Sequence, residues 1–129
     1  MTDEGRRSSA NDELERADEE LRAADHLLAV AIPRVALTRA YFACFHAVRA
    51  LLHASNLEPK THQGTLHLFQ LHFVKAATFD PADGRLLARL QKYREEADYA
   101  ETFVVDAEGA RQELDQARSF VARVRARMP

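Results

Sequence analysis

Residues 33–55 read PRVALTRAYFACFHAVRALLHAS, and this stretch decides the fold. Val35, Leu37, Tyr41, Phe42, Phe45, Val48, Leu51 and Leu52 are spread so widely around a 3.6-residue period that almost no side stays polar, the pattern of a helix surrounded by other helices. Pro33 suits its first turn, where the fixed φ is already helical and the missing N–H has no bond to lose. The pattern predicts one helix from Pro33 to about Ser55 at the centre of an all-α bundle. Arg39, His46 and His53 interrupt this rod, each seven residues from the next. A step of seven drifts only about 20° around a helix, so the three form one polar stripe. Burying such groups costs free energy unless they are paired, so the stripe must face a partner, water or a cleft.

The flanking segments supply the other helices. Residues 1–10 are polar and are expected to be flexible. From there Leu14, Ala17, Leu21, Ala24, Leu28 and Ala31 recur at steps of three and four, an amphipathic helix ending before Pro33. Beyond the central helix, Asn56-Leu57-Glu58-Pro59-Lys60 breaks the pattern. Thr61 stands where an N-cap is needed for a shorter helix with Leu66, Phe69 and Phe73 inward. Asp80-Pro81 ends that region, and a fourth helix starting near Ala82–Asp83 carries Leu86, Leu87, Leu90 and Tyr93 to about Tyr99. Asp106 caps a last helix with Ala110, Leu114, Ala117, Val121 and Val124 on one face. Short connections favour antiparallel neighbours, so the expected architecture is an up-and-down bundle of four long helices plus one shorter element over residues 11–127.

At 129 residues, 47% hydrophobic and 29% charged, the chain has the size and mixture of one globular domain. No apolar run approaches the roughly 18–20 residues expected of a membrane span, and the N-terminus has no signal-like apolar stretch, so a cytoplasmic protein without a membrane partner is expected. The single Cys44 sits in the apolar run as a core thiol and cannot form an intrachain disulfide. A net charge of −2 hides a segregation by segment. Acids outnumber bases in residues 1–33 and 77–110, whereas 34–76 hold five of the six histidines and a single acid. The near-neutral sum therefore does not argue against a polyanion or nucleotide partner at one local cleft.

Two constellations carry possible chemistry. The central stripe is either hydrogen-bonded inside the bundle or at a subunit interface, or it is a site in which Arg39 holds a phosphate and His46 moves a proton. Near the end of the fourth helix, Tyr93-Arg94-Glu95-Glu96-Ala97-Asp98-Tyr99 allows either an Arg94–Asp98 surface pair or an approach of Arg94 to the central stripe, with Tyr99 adding a hydroxyl or a ring. His62, His67 and His72 are five apart, about 140° around a helix, so they cannot converge on one ion, and no metal or other cofactor is expected. No HExxH, P-loop, GxGxxG or nucleophile elbow occurs.

The segments Thr38-Arg39-Ala40-Tyr41-Phe42-Ala43-Cys44-Phe45-His46-Ala47 with Leu51-Leu52, Pro59-Lys60-Thr61-His62-Gln63-Gly64, and Arg94-Glu95-Glu96-Ala97-Asp98-Tyr99 together resemble the HEPN domain, in its small stand-alone UPF-type branch. The resemblance covers roughly residues 11–127. It implies a helical bundle that commonly dimerises and is often encoded beside a minimal nucleotidyltransferase, with which it forms a toxin–antitoxin or substrate-binding pair. At this chain's size that transferase would be a separate polypeptide. The resemblance also implies metal-independent ribonuclease activity in many members, through an Arg followed four to six residues later by a His just before the last helix. Here that motif begins at Arg94 and reaches Tyr99 where the His is expected, with Glu95 after the Arg. On the central helix Arg39 and His46 have an Arg-x6-His spacing, in a place where this branch also carries such residues.

Three functions follow as expectations. The chain is the non-catalytic HEPN component of a two-gene system, binding a nucleotidyltransferase and a nucleotide or RNA through Arg39, His46, His53, Lys60, His62, Arg94, Asp98 and Tyr99. Alternatively it is a ribonuclease toxin in which His46 activates the ribose 2′-OH while Arg39 and Arg94 stabilise the charged phosphorane. The third is a helical dimerisation module with no ligand. The resemblance further implies that Tyr99 is open to nucleotidylation by the cognate transferase, and the apolar helix faces imply a homodimer.

Overall fold

The computed structural model describes residues 2–99 and 103–128, and among these every regular element is helical. In chain order they are α1 (Asp3–Ala29), α2 (Pro33–Ala54), the short α3 (His62–Phe69) running on into a π-helical turn at Gln70–Val74, α4 (Pro81–Tyr99) and α5 (Ala107–Ala126). Four long helices and one shorter element are the expected set. α2 lies at the centre, packed against α1, α3, α4 and α5.

Local chemistry sets the boundaries. The Thr61 hydroxyl accepts the Gly64 N–H at 2.8 Å and the Asp106 carboxylate accepts that of Gly109 at 2.7 Å, so both expected caps start their helices. The same device at Thr2, accepting the Gly5 N–H at 2.9 Å, starts α1 at Asp3. Residues 3–10, expected to be flexible, are therefore helical; Asp3 and Glu4 complement the helix dipole and Ala10 is buried. α1 and α2 both end through a residue in the left-handed region, Ala31 (φ 63°) and Asn56 (φ 57°). In each case the following N–H reaches back to close the helix, Ile32 to the Leu27 carbonyl and Leu57 to that of Leu52, both at 2.8 Å. This early closure leaves Ala31 exposed and Leu28 half-buried, so the buried stripe of α1 stops at Ala24.

The small residues of α2 explain how one helix accommodates four neighbours. Ala36, Ala40, Ala43, Ala47 and Ala50 are all fully buried, which lets adjacent helices approach its backbone closely. α5 contributes Ala110, Leu114, Ala117, Phe120, Val121 and Val124, and Phe120 joins Phe69 and Phe79 in an aromatic cluster under the π-helical turn. Cys44 is fully buried, and burial pushes its thiol well above the ordinary range, as befits a core side chain. α2 is nonetheless long and apolar enough to cross a membrane by length and composition, with a mean hydropathy of 1.3, contrary to the expectation that no run comes near that mark. Its position accounts for this: 67% of that window is buried inside the bundle.

Candidate functional site

The polar stripe of α2 meets α1. Arg39 Nη1 lies 3.0 Å from Glu20 Oε2, and His46 Nδ1 lies 2.7 Å from Glu13 Oε2. Glu13 Oε1 also takes Arg49 Nε at 3.3 Å. The two acids are seven residues apart, as are the two bases, so one antiparallel register satisfies both pairs at once. Glu13 is only 7% exposed, which makes its partners obligatory. Burial alone would raise its pKa, but the hydrogen bonds and charges of His46 and Arg49 outweigh that and hold the carboxyl below its usual 4.5. Glu13 is thus an ionised acceptor, so Nδ1 of His46 carries a proton and Nε2 is the atom left to exchange one. His53, two turns further on, has a buried Nδ1 with no hydrogen-bond partner.

A second group of side chains converges on α2 from α3 and α4. The Arg94 guanidinium stands 5.6 Å from the Tyr41 ring centre and 5.1 Å from that of Phe42, and Arg39 lies 5.0 Å from the same Phe42 ring. The junction is fixed nearby by Arg34, which donates to the Ala97 carbonyl at 2.9 Å. The Arg94–Asp98 surface pair is not formed, because Arg94 turns inward onto the rings. Its Nε is buried without a partner, and among the described residues it has no carboxylate. From α3, His62 stacks on Phe45 with ring centres 4.2 Å apart and an interplanar angle of 11°. Its Nδ1 is 3.3 Å from the Tyr41 hydroxyl. Burial lowers the pKa of His62 from 6.5, and the charges of Arg94, Arg49 and His46 add to the effect. Burial pushes the Tyr41 phenol up to about 12, so it stays protonated and shares a hydrogen bond with His62 Nδ1.

The structure therefore gathers Arg39, His46, His62 and Arg94 around a floor made by Tyr41, Phe42 and Phe45. His53 lies off this patch, and Lys60 and Asp98 are exposed without an ion pair among the described residues. Tyr99 is 86% exposed and contributes neither hydroxyl nor ring to the cluster. Glu13, Glu20 and Arg49 were not anticipated. Their signal was the heptad step already seen in Arg39 and His46, repeated on α1 by Glu13 and Glu20. Chemically the patch offers a guanidinium with no carboxylate among the described residues and a carboxylate-held imidazole, groups that suit a phosphate.

Comparison with known proteins agrees in family and extent. A family model described as HEPN domain matches residues 10–127. The chain is 37% identical over 112 residues to a Methanocaldococcus jannaschii protein named "Putative toxin MJ0605", covering 87% of this chain and 83% of that one. A second protein of that organism, "Putative toxin MJ0142", is 30% identical over 84% of this chain and 74% of its own length. The "UPF0332 protein glr0978" of Gloeobacter violaceus is 36% identical over 68% of this chain and 70% of its own.

Proposed function

The chain belongs to the HEPN domain family, and from that premise we propose that it is the HEPN component of a toxin–antitoxin type pair whose Arg94 patch binds the phosphate of a nucleotide or of RNA. The observation that carries this reading is Arg94 itself. Arg39, His46 and Arg49 each have a carboxylate on α1, whereas Arg94 lies on an aromatic floor with a buried, unpartnered Nε. A guanidinium so placed is held in position for an anion, and the exposed edge of His62 beside it adds a donor. The toxin names of the relatives support the paired-system setting, and the partner in this reading is a minimal nucleotidyltransferase on a separate chain, with the HEPN chain as a homodimer in the cytoplasm.

Fluorescence anisotropy with a labelled single-stranded RNA tests the binding. Arg94→Gln weakens it and lowers the slope of log affinity against log salt by about 1. Equal affinity and slope in the variant would reject the patch. Co-expression with the cognate transferase tests the pairing, and separate elution of the two chains would reject that part.

One observation favours a catalytic reading as well. Glu13 fixes the His46 ring so that Nε2 is the exchanging atom, the arrangement a general base needs. In that reading His46 takes the 2′-OH proton and Arg39 and Arg94 stabilise the phosphorane, although Arg39 is already matched by Glu20 and the family His is replaced by Tyr99. RNA cleavage in the presence of EDTA, lost in His46→Ala and Arg94→Ala, is the expected result. An inactive wild type at high concentration, freed of its partner, removes the reading.

A further inference from the structure

Two groups on the patch lack a carboxylate partner among the described residues, and they come from different helices. Arg94 of α4 lies 5.6 and 5.1 Å from the centres of Tyr41 and Phe42, and the His62 ring of α3 lies 6.3 and 5.9 Å from the same two. One is a permanent cation and the other becomes a cation by taking a proton. Every other base facing this floor is matched: Arg39 by Glu20, and both His46 and Arg49 by Glu13.

We propose that Arg94 and His62 form a two-point site for a dianionic phosphomonoester, in which Arg94 meets the first negative charge and His62 meets the second by taking a proton from solvent as the ligand binds. This rests on the reading of the patch as a phosphate site, and adds to it the kind of phosphate bound and the residue that selects it. A phosphodiester carries one negative charge and is matched by Arg94 alone. A terminal phosphate carries close to two at neutral pH.

The Tyr41 hydroxyl explains how His62 does this without moving. Tyr41 is fully buried and His62 Nδ1 is its hydrogen-bond partner. In the neutral tautomer that accepts from the phenol at Nδ1, the proton sits on Nε2. Protonation adds a proton at Nδ1, the phenol hydrogen rotates away and Nδ1–H then donates to the phenol oxygen. Nε2–H is presented to the anion in both states. The groups that face His62 are Arg94 with Glu95 nearby on α4, and Tyr41, His46 and Arg49 on α2. In the empty patch the cations among them oppose protonation of His62. A bound dianion reverses the balance, so binding and proton uptake are linked.

Inorganic sulfate is the first probe, because it stays dianionic from pH 5 to 8 in round terms and leaves only the protein to titrate. NMR titration of the histidine ring protons, with His62 assigned by its loss in His62→Asn, gives the pKa with and without sulfate. Saturating sulfate is expected to raise it by about one unit or more. Sulfate affinity then falls by up to about tenfold per pH unit above the pKa of the free site. His62→Asn binds sulfate with no such dependence, and a diester such as uridylyl-uridine binds wild type without it.

AMP, and an RNA hexamer with and without a 5′-phosphate, then separate a free nucleotide from an RNA end as the source of the phosphate. An unchanged His62 pKa under saturating sulfate, or the same pH dependence in His62→Asn, overturns the proposal while leaving the phosphate patch standing. Sulfate, AMP and RNA that all bind Arg94→Gln as well as wild type, or bind neither, overturn the patch and the proposal together. Circular dichroism confirms that both variants keep their helices, which separates loss of the site from loss of the fold.

Discussion

Glu13 and His46 face each other across the α1–α2 interface, Oε2 to Nδ1 at 2.7 Å, and the other oxygen of the same carboxylate lies 3.3 Å from Arg49 Nε. One buried acid on the first helix thereby fixes the side chain that the sequence marks as the proton carrier. Removing it leaves an imidazole and a guanidinium half-buried and unmatched. Glu13→Ala is expected to lose about 2–3 kcal/mol in urea denaturation. The pH dependence has a defined sign. The folded pKa of Glu13 is depressed below 4.5, so its contribution is full above that value and disappears as pH falls through the folded pKa. Glu13→Gln should therefore flatten part of the acid limb of the stability curve. An acid limb identical to that of wild type would show that the pair contributes nothing.

α1 carries a second acidic pair seven residues apart, turned toward α5. Asp25 reaches Arg111 at 3.0 Å and Arg118 at 2.7 Å, and Asp18 reaches Arg125 at 2.8 Å. These groups are close to half-exposed, so their worth is set by solvent screening rather than by burial. Asp25→Asn is expected to cost less than about 1 kcal/mol at low salt, and the difference should vanish near 1 M salt, where the screening length is about 3 Å. A larger loss that persists in salt would mean that the ladder acts as a core feature.

Most of the fold was legible because it rests on local rules. Pro33, Thr61 and Asp106 start helices through φ and capping, which depend on the nearest few residues. The start of α1 was missed although Thr2 uses the same chemistry, because the residues after it are polar and only the buried Ala10 shows that they pack. The site was half legible. Arg39 and His46 stood out as polar residues on an apolar rod, but a stripe cannot reveal which helix covers it. Pairing with Glu20 and Glu13 required the antiparallel register. The meeting of Arg94 with Phe42, and of His62 with Phe45, depends on how α3 and α4 cross α2, which no single helix encodes.

Ala31 offers a test with the opposite sign. It adopts φ 63° to close α1, with its N–H on the Leu28 carbonyl at 3.1 Å and that of Ile32 on Leu27. A side chain in the left-handed region costs roughly 1 kcal/mol, and glycine pays none of it. The exposed Ala31→Gly is therefore expected to raise stability by up to about 1 kcal/mol despite the greater freedom of the unfolded glycine. A loss on this substitution would show that the unfolded-state entropy wins.

The proposed homodimer now rests on a different surface from the one the sequence suggested. Arg39 and His46 of the α2 stripe are paired with α1 of the same chain, so the proposed dimer surface lies among the exposed apolar residues at one end of the bundle. Val30, Ile32 and Val35 are exposed around the α1–α2 connection, and Val104 and Tyr99 around the end of α4 and the approach to α5. The Arg34 bond to Ala97 puts the start of α2 beside the end of α4. Light scattering is expected to give twice the chain mass, and Ile32→Glu to return it to one. A monomeric wild type at high concentration would remove the dimer.

The three tyrosines make the nucleotidylation proposal selective. In that reaction the phenol oxygen attacks the α-phosphorus of ATP, an O–P bond forms, the bond to the β-phosphate breaks, and pyrophosphate leaves while the phenol proton passes to a base. The acceptor must be reachable and must lose its proton in the transition state. Tyr41 fails on both counts, being fully buried with its phenol pushed up to about 12, and Tyr93 is half-buried against Phe103. Tyr99 is 86% exposed at the end of α4, so its phenol is open to an incoming transferase. Incubation with the cognate transferase and ATP should add one adenylyl group, mapped by peptide mass spectrometry to Tyr99 and absent in Tyr99→Phe. Modification of Tyr93 in its place, or an unmodified chain beside a transferase that labels another substrate, would exclude Tyr99 as the acceptor.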